Sequence, residues 1–296
     1  MLIDTHCHVH FNAYKEDMDD VIKRTLAKGV FMITVGTQRD TSKNGLEVAE
    51  RYDGLWASVG LHPNHLMQQE FWDDDELPPE DQATPKIKTR EEKFDLEYYR
   101  SLVSHPKCVA IGECGFDYYR IPESVDLNDV KRRQEEALRL QFDLATEADL
   151  PVIIHCRDAH KDQADLIEEY IKAGKLSRRG VVHCFTATLE DAQRYIDLGF
   201  YISFTGILTF PARKNEANAE GLSPLQAVAK ALPLEKILIE TDSPYLTPLP
   251  FRGTRNEPWY VEFVAKKIAE VKGISFEEVA EATTKNAKDL FRITDN

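Results

Sequence analysis

Six short fragments spread over the whole sequence each end an apolar run with a residue type that binds metal ions. The residues concerned are His6, His8, His62, Glu113, His155, His183 and Asp242. Because side chains at positions i and i+2 of a strand share a face, His6 and His8 could both reach one ion. One histidine or one acid means little, but six such strand ends together predict a metal site where several strands converge.

Two carboxylates are the candidate catalytic residues of this set. A buried Glu113 needs a strong partner, and a dication could use both of its oxygens; an ion pair with an inward arginine is the alternative. Asp242 could bind a metal ion and accept a proton from a water molecule. Alternatively, Asp242 could serve as the N-cap of the turn that follows it. Both residues are therefore expected to be metal ligands and to take part in catalysis.

Four histidines complete the predicted ligand set: His6, His8, His155 and His183. Neutral imidazole is the commonest metal ligand, and each ring needs an acceptor that orients it. Either His155 or His183 alone could be a hydrogen-bonded core histidine, but they end adjacent predicted strands at equivalent places. Four imidazoles and two acids suit zinc, manganese or a mixed pair, because a magnesium site would use more oxygen ligands.

These residues lie in a chain that alternates between two kinds of segment. Eight apolar runs rich in β-formers predict strands over Leu2–His6, Val30–Gly36, Leu55–Leu61, Val109–Glu113, Pro151–His155, Gly180–Cys184, Phe200–Phe204 and Lys236–Thr241. Amphipathic stretches between them predict helices over Asp17–Lys28, Thr41–Tyr52, Asp95–Ser104, Asn128–Ala148, Asp162–Ala173, Leu189–Leu198, Pro224–Leu232 and Pro258–Val271. Eight strand–helix units of this length predict an α/β fold, the (β/α)8 TIM barrel.

The ends of the chain and one internal segment complete the predicted organisation. Ser275–Leu290 predicts an additional C-terminal helix that begins with a capping box of Ser275 and Glu278. No linker divides the chain, so residues 1–296 are expected to form a single metallohydrolase barrel domain. Residues 71–93 form a polar insertion after the third strand. A mobile loop is the simple interpretation of this insertion, and a lid or a contact with a partner is the alternative.

Composition limits the class of protein and of substrate. The chain has 296 residues, 42% of them hydrophobic, and a net charge of -14. Its mean hydropathy of -0.43, with no long apolar segment, predicts no association with a membrane. The five irregularly spaced cysteines and the absence of a signal-like N-terminus predict a cytoplasmic protein. The negative charge disfavours binding of a polyanion, because nucleic-acid affinity depends on Lys and Arg. No obligate protein partner is inferred.

Several motifs resemble the TatD family of metal-dependent deoxyribonucleases, in the amidohydrolase-like metallohydrolase superfamily. They are Asp4-Thr5-His6-Cys7-His8, Gly112-Glu113-Cys114-Gly115-Phe116-Asp117-Tyr118, Ile154-His155-Cys156-Arg157, His183-Cys184-Phe185, Glu240-Thr241-Asp242-Ser243-Pro244-Tyr245-Leu246 and Arg252-Gly253-Thr254-Arg255-Asn256-Glu257-Pro258. The resemblance implies two divalent ions, either zinc, manganese or magnesium. One ion would be bound by His6 and His8 and the other by His155 and His183. Glu113 would bridge the two ions, and Asp242 would complete the site.

Further residues at the predicted strand ends are candidates for substrate binding. His62 could contact a phosphate, or be a buried hydrogen-bonded histidine. Asp117 could orient a ligand or a water, or belong to a turn. Arg157 could bind a phosphate with its two-pronged guanidinium, or form a salt bridge with Asp158. Three residues after the last strand could also contact phosphate, with a structural tie to Glu257 as the alternative: Arg252, Arg255 and Asn256.

Three aromatic residues near these strand ends are Tyr118, Tyr119 and Phe210. Each could stack on a nucleic-acid base, and packing is the simpler role.

The sequence thus predicts a metal-dependent hydrolase of phosphodiester bonds. The family resemblance implies a DNA substrate, single-stranded or at its 3′ ends, and a 3′→5′ exonuclease. An amide or ester hydrolase, such as an aminoacyl-tRNA deacylase or a small-molecule amidohydrolase, is the alternative enzyme, because the acidic charge suits a small substrate. A non-catalytic scaffold is the third hypothesis, and it would have no need of six intact ligands.

Overall fold

Eight parallel strands with helices between them form a (β/α)8 barrel, as predicted. The computed structural model describes residues 1–71, 87–89, 91–119, 121, 125–213 and 215–294. The strands of the large sheet are β1 (Leu2–Cys7), β2 (Val30–Val35), β3 (Leu55–Val59), β6 (Cys108–Asp117), β7 (Val152–Arg157), β8 (Gly180–Val182), β9 (Tyr201–Phe204) and β10 (Ile237–Ile239). They follow one another in the sheet in this order, as expected when each strand is followed by a helical crossover.

Nine α-helices occur in the described part of the chain, and each overlaps a predicted one. They are α1 (Met18–Ala27), α2 (Arg39–Ala49), α3 (Leu96–Val103), α4 (Leu127–Glu147), α5 (His160–Lys172), α6 (Leu189–Asp197), α7 (Pro224–Ala231), α8 (Val261–Lys272) and α9 (Phe276–Phe291). The last is the predicted additional helix. Its capping box is confirmed, because the Ser275 hydroxyl accepts a hydrogen bond from the Glu278 amide and the Glu278 carboxylate accepts one from the Ser275 amide.

A short antiparallel pair was not predicted. It consists of β4 (Gln69–Phe71) and β5 (Ile87–Thr89), which flank most of the polar insertion predicted over residues 71–93. Residues 72–86 and 90 of that insertion lie outside the described residues. A lid or partner contact there stays a prediction. Among the helices described, none is long and apolar enough to cross a membrane.

The chain divides into two compact units, and the single-domain prediction stays a prediction. The first unit contains Met1–Thr34 and Val181–Asn296. In it, β1 pairs with β2, and β9 pairs with both β8 and β10. A parallel bridge also joins Cys7, at the end of β1, to Ser243, which follows β10. Helices α8 and α9 pack on β1 and bury an apolar core that includes Ile3, Phe204 and Ile268.

The second unit contains Val35–Gly180, and two buried glutamines of α4 hold the ends of its strands. The Gln141 side chain accepts a hydrogen bond from the Leu61 amide and donates one to the Leu61 carbonyl, just after β3. The Gln134 side chain makes the same two bonds with the backbone of Asp117, at the end of β6. Because residues seven apart share one helical face, a single helix can position both strand ends.

Strand β6 continues four residues beyond the predicted end at Glu113. The extension pairs with β7, with Cys114 opposite Ile154 and Asp117 opposite Arg157. Gly115 allows the two backbones to approach, because a Cβ atom there would lie 1.8 Å from the carbonyl oxygen of His155. Its φ of 151° is also a conformation that glycine adopts readily. The longer strand brings Asp117 level with the end of β7.

Candidate metal centre

Three predicted ligands converge in the first unit. His6 and His8 lie at and just beyond the end of β1, and Asp242 lies three residues after β10. The two Nε2 atoms are 3.2 Å apart, and Asp242 Oδ1 is 3.6 Å from that of His6 and 3.3 Å from that of His8. Two imidazole lone pairs at such a distance repel each other unless a proton or a cation lies between them. The three atoms therefore form a cluster that favours a positive charge.

The size of this triangle fits a metal ion. With sides of 3.2, 3.3 and 3.6 Å, the point equidistant from its corners lies about 2.0 Å from each atom. Zinc–nitrogen and zinc–oxygen bonds are about 2.0 to 2.2 Å long. His6, His8 and Asp242 would thus hold a divalent ion at distances close to ordinary bond lengths. The residues present thus fit a divalent cation in both chemical type and spacing.

The residues of this cluster are largely buried, and burial affects the pKa of Asp242. His6 is fully buried and the Asp242 side chain is 16% exposed. Burial by itself would raise the pKa of Asp242, but its hydrogen bond with His8 and the nearby imidazoles outweigh this effect and lower the pKa. Asp242 is thus an anion at neutral pH. It is also the one of the three residues that solvent reaches through a partly exposed side chain.

His183 extends the cluster and brings in an acid that the sequence analysis did not assign. Its ring stacks on that of His6, with centroids 4.0 Å apart and an angle of 15° between the planes. Its Nδ1 lies 3.5 Å from Oε1 of Glu240, which is fully buried and also accepts a hydrogen bond from the Cys184 amide. One ligand atom from each of His6, His183 and Glu240 lies within 4.8 Å of the others. A carboxylate at Nδ1 leaves Nε2 of the ring for a metal ion.

A second acid missed by the sequence analysis fixes the strands that hold these residues. Asp4 in β1 is fully buried, and its carboxylate accepts hydrogen bonds from the amide and the hydroxyl of Thr241 and from the amide of His6. Burial raises the pKa of Asp4 well above its usual value, although these hydrogen bonds act in the opposite direction. The Asp242 amide also donates to the His6 carbonyl. Asp4 thus positions one strand end against another.

The second unit holds another group of predicted ligands. Oε1 of the buried Glu113 lies 2.9 Å from Nδ1 of His155 and 3.2 Å from Nε2 of His62. One ligand atom from each of these residues lies within 4.8 Å of the others. His62 also accepts a hydrogen bond from the Asn64 amide at Nδ1, which leaves Nε2 to face Glu113. His62 was predicted as a substrate contact, and the structure places it within a candidate metal-binding group.

Asp117 contacts His155, as its predicted role of orienting a ligand would require. Its Oδ2 lies 3.1 Å from Nε2 of His155, while its Oδ1 accepts a hydrogen bond from the Tyr119 amide. Burial lowers the pKa of His155, but the hydrogen bonds with Asp117 and Glu113 are stronger and raise it overall. The pKa of His62 is lowered by burial, despite its proximity to Glu113. A histidine with a carboxylate on its far nitrogen is the usual arrangement of a metal ligand.

Four predicted substrate residues, one at the end of β7 and three after β10, differ in their surroundings. The guanidinium of Arg157 lies over the ring of Tyr119, at 3.8 Å from its centroid. That of Arg252 lies over the ring of Phe210, at 4.5 Å. Both arrangements are cation–π contacts between a guanidinium and an aromatic ring. Phosphate contact by Arg157 and Arg252 stays a prediction.

Arg255 and Asn256 have structural partners. The Arg255 guanidinium donates two hydrogen bonds to Asp17, at 2.8 and 2.7 Å. Asn256 is fully buried, and its side-chain amide donates to the carbonyls of Thr241 and Tyr245. These bonds hold the segment after β10 in place, which corresponds to the structural alternative, although the main partner of Arg255 is Asp17 and not Glu257. Their predicted contact with substrate receives no support from this geometry.

Comparisons with known proteins identify relatives among metal-dependent hydrolases. The family described as TatD related DNase matches residues 3–292. An uncharacterized metal-dependent hydrolase, YabD of Bacillus subtilis (strain 168), is 40% identical over 99% of this chain and 100% of its own length. The 3′-5′ ssDNA/RNA exonuclease TatD of Citrobacter koseri is 33% identical, with 99% of both chains covered.

Solved structures lead to the same family. The crystal structure of YjjV, a TatD homologue from Escherichia coli K12, has a TM-score of 0.80 and 29% sequence identity to this chain. It covers 99% of this chain and 98% of its own. With the family matched over nearly all residues, and with histidine–carboxylate clusters of the right chemistry, this chain belongs to the TatD family and is a metal-dependent hydrolase.

Proposed function

We propose that this hydrolase cleaves phosphodiester bonds of single-stranded nucleic acid, removing nucleotides from the 3′ end. The observation that carries the proposal is the His6–His8–Asp242 triangle, with a point about 2.0 Å from all three ligand atoms. The nucleic-acid substrate is supported by the relative of Citrobacter koseri, named as a 3′-5′ ssDNA/RNA exonuclease. A site that acts on phosphate esters needs concentrated positive charge, and divalent ions supply it in a chain of net charge -14.

Six residues form the proposed ligand set for two divalent ions: His6, His8, Glu113, His155, His183 and Asp242. In this assignment, which follows the family resemblance, His6, His8 and Asp242 would hold one ion, His155 and His183 would hold the other, and Glu113 would serve both. Zinc, manganese and magnesium are the candidate ions, and the imidazole content favours the first two. Bound ions would polarise the phosphate and lower the pKa of a water molecule.

The protein's own residues have distinct tasks in this proposal. Asp242 is anionic and its side chain is partly exposed, so this carboxylate can orient the attacking water and accept its proton. Asp117 lies 3.1 Å from Nε2 of His155 and would hold that ring in one orientation, while Glu240 places a negative charge 3.5 Å from Nδ1 of His183. Because these acids are buried, their orientation is set by the fold and does not need the substrate.

The test is hydrolysis of a single-stranded oligonucleotide labelled in turn at its 5′ and its 3′ end. We expect stepwise shortening from the 3′ end, loss of activity with a chelator, and recovery with manganese, zinc or magnesium. Asp242→Asn and Glu113→Gln should each lower kcat by a factor of at least about 100. Glu257→Gln is the matched control, because that carboxylate bonds Arg24 and no histidine.

Two results would contradict the proposal. One is full activity in both ligand variants, which would point to a contaminating nuclease. The other is purified, folded protein that neither contains nor binds a divalent ion by elemental analysis and calorimetry.

An amide or ester hydrolase is the second candidate, and the net charge of -14 favours it. Such a charge repels a long polyanion, whereas a small or single-ended substrate meets less repulsion. Parallel assays with esters, lactones, aminoacyl-tRNA and an oligonucleotide discriminate the two functions, because only one class should show a high kcat/KM. The cytoplasmic location predicted from the sequence stays a prediction.

A further inference from the structure

Tyr119 is exposed in a way that the other aromatic side chains are not. It is 53% exposed, which is the largest exposed fraction among the phenylalanine, tyrosine and tryptophan side chains that the structure describes. Neighbouring Tyr118 is half-buried and donates a hydrogen bond from its hydroxyl to Asp162. An exposed ring leaves apolar area in water that folding would otherwise bury. Tyr119 therefore offers an aromatic surface that a ligand could cover.

The ring is also held firmly beside a predicted metal ligand. The Tyr119 amide donates a hydrogen bond of 2.9 Å to Asp117, whose other oxygen lies 3.1 Å from Nε2 of His155. The guanidinium of Arg157, two residues beyond His155 on β7, lies 3.8 Å from the centroid of the ring. A planar cation on one face of the ring limits its rotation. Tyr119 is thus an exposed ring that is oriented before any ligand arrives.

We propose that Tyr119 is the stacking platform for one base near the 3′ end of the substrate, with Arg157 as a positioning residue beneath the ring. The inference rests on the proposed function and adds the means of recognition. Every nucleobase has a flat π-face, so stacking tolerates any sequence and both DNA and RNA. Bases inside a duplex already stack on their neighbours, so the platform accepts only an unpaired end.

This mode of recognition also suits the charge of the chain. A protein that follows a nucleic-acid backbone does so with many lysines and arginines, and its affinity falls steeply with salt. A net charge of -14 is unfavourable for that mode. Stacking on a single ring contributes affinity without phosphate contacts, so affinity at this site should depend only weakly on salt.

The experiment combines changes in the enzyme with changes in the substrate. Holoenzyme is titrated with a fluorescent single-stranded oligonucleotide protected by phosphorothioate linkages, in which an abasic residue replaces each of the last three nucleotides in turn. We expect Tyr119→Ala to weaken binding of the intact oligonucleotide by about five- to 150-fold. One abasic position should weaken binding to the unmodified protein similarly. Combined, the two changes should have little further effect, because both remove one contact.

Two further variants separate stacking from damage to the fold. Tyr119→Phe keeps the ring and should bind within about twofold of the unmodified protein. Tyr98→Ala removes a matched ring, because Arg39 lies 3.7 Å from the centroid of Tyr98 on the helical surface. It should leave binding unchanged. In turnover with an unprotected substrate, Tyr119→Ala should raise KM while kcat stays within about threefold.

Each outcome decides the inference. If the unmodified holoenzyme binds the oligonucleotide but Tyr119→Ala binds as tightly, the platform is wrong and the proposed function stands. If the effects of Tyr119→Ala and of every abasic position add, the ring acts through the structure and not through a base, which also overturns the inference. If the unmodified holoenzyme binds no oligonucleotide, both the inference and the proposed function fail.

Discussion

Glu240 gives the sharpest test of the metal centre, because it distinguishes an orienting acid from a structural one. Its Oε1 accepts a hydrogen bond from the Cys184 amide and lies 3.5 Å from Nδ1 of His183, while Oε2 has no hydrogen-bond partner among the described residues. Glu240→Gln keeps an oxygen for the Cys184 amide and preserves the volume of the side chain. It removes the negative charge next to the imidazole.

The expected effect on metal binding follows from that charge. A carboxylate at the far nitrogen makes the imidazole a stronger ligand, and its loss typically weakens metal binding about 10- to 100-fold, or about 1.4 to 2.7 kcal/mol. The metal-free protein should be as stable as before or more stable, because a fully buried charge is costly to desolvate. Metal affinity and stability are therefore expected to change independently.

The assay needs two measurements on one set of variants. Metal affinity is measured by competition with a chromogenic chelator, and stability by urea denaturation of the metal-free protein. Glu257→Gln is the control with the opposite expected effects, because it weakens the hydrogen bonds that Arg24 donates at 2.8 and 2.6 Å and is remote from the histidines in sequence. It should lower stability and leave metal affinity unchanged. Metal affinity within about twofold of normal in Glu240→Gln would refute the proposed orientation of His183.

Three other predictions address the fold and the neighbouring residues. Gly115→Ala should lower the melting temperature strongly, or prevent folding, because the new Cβ would lie 1.8 Å from the His155 carbonyl oxygen; an unchanged melting curve would contradict the close approach of β6 and β7. Burial lowers the pKa of His10 to about 3, so the unfolded chain binds a proton below about pH 6.5 that the folded chain excludes. Stability should thus fall by about 2 kcal/mol between pH 7 and pH 5 from this residue alone, and denaturation curves of His10→Gln should lack that part of the loss. Arg255→Ala should lower stability by about 1 kcal/mol through the lost bonds with Asp17, while KM for an oligonucleotide stays within about twofold; a large rise in KM would instead support the predicted phosphate contact.

The fold was predictable from local pattern because burial repeats with the period of each element. All eight strands and nine helices were found near their predicted places, and the capping box at Ser275 was confirmed. The extension of β6 was not predicted, because Gly115 reads as a turn residue until the backbone of β7 is beside it. The antiparallel pair of β4 and β5 was missed because its short strands, Gln-Glu-Phe and Ile-Lys-Thr, lack the apolar run that marks the equally short β8 and β10.

The candidate ligands were predictable for a different reason, which is that ligand chemistry is a property of residue type. Glu240 could have been found as well, since it lies two residues before Asp242 at the end of the same predicted strand. An orienting role for Asp117 was one of two alternatives, and the extra length of β6 brings its carboxylate within 3.1 Å of Nε2 of His155. The role itself stays a prediction. Spacing along the chain identifies which side chains share a strand end, but it does not say which atoms meet.

The sequence by itself determined the alternation of elements and the residue types at the strand ends, because both depend on neighbours a few positions apart. Only the tertiary structure decided the partners. It placed Arg255 on Asp17, which is 238 positions away, and Thr241 on Asp4, which is 237 away. Such contacts depend on how strands and helices pack. The free energy of packing is shared among many residues, so no single motif determines it.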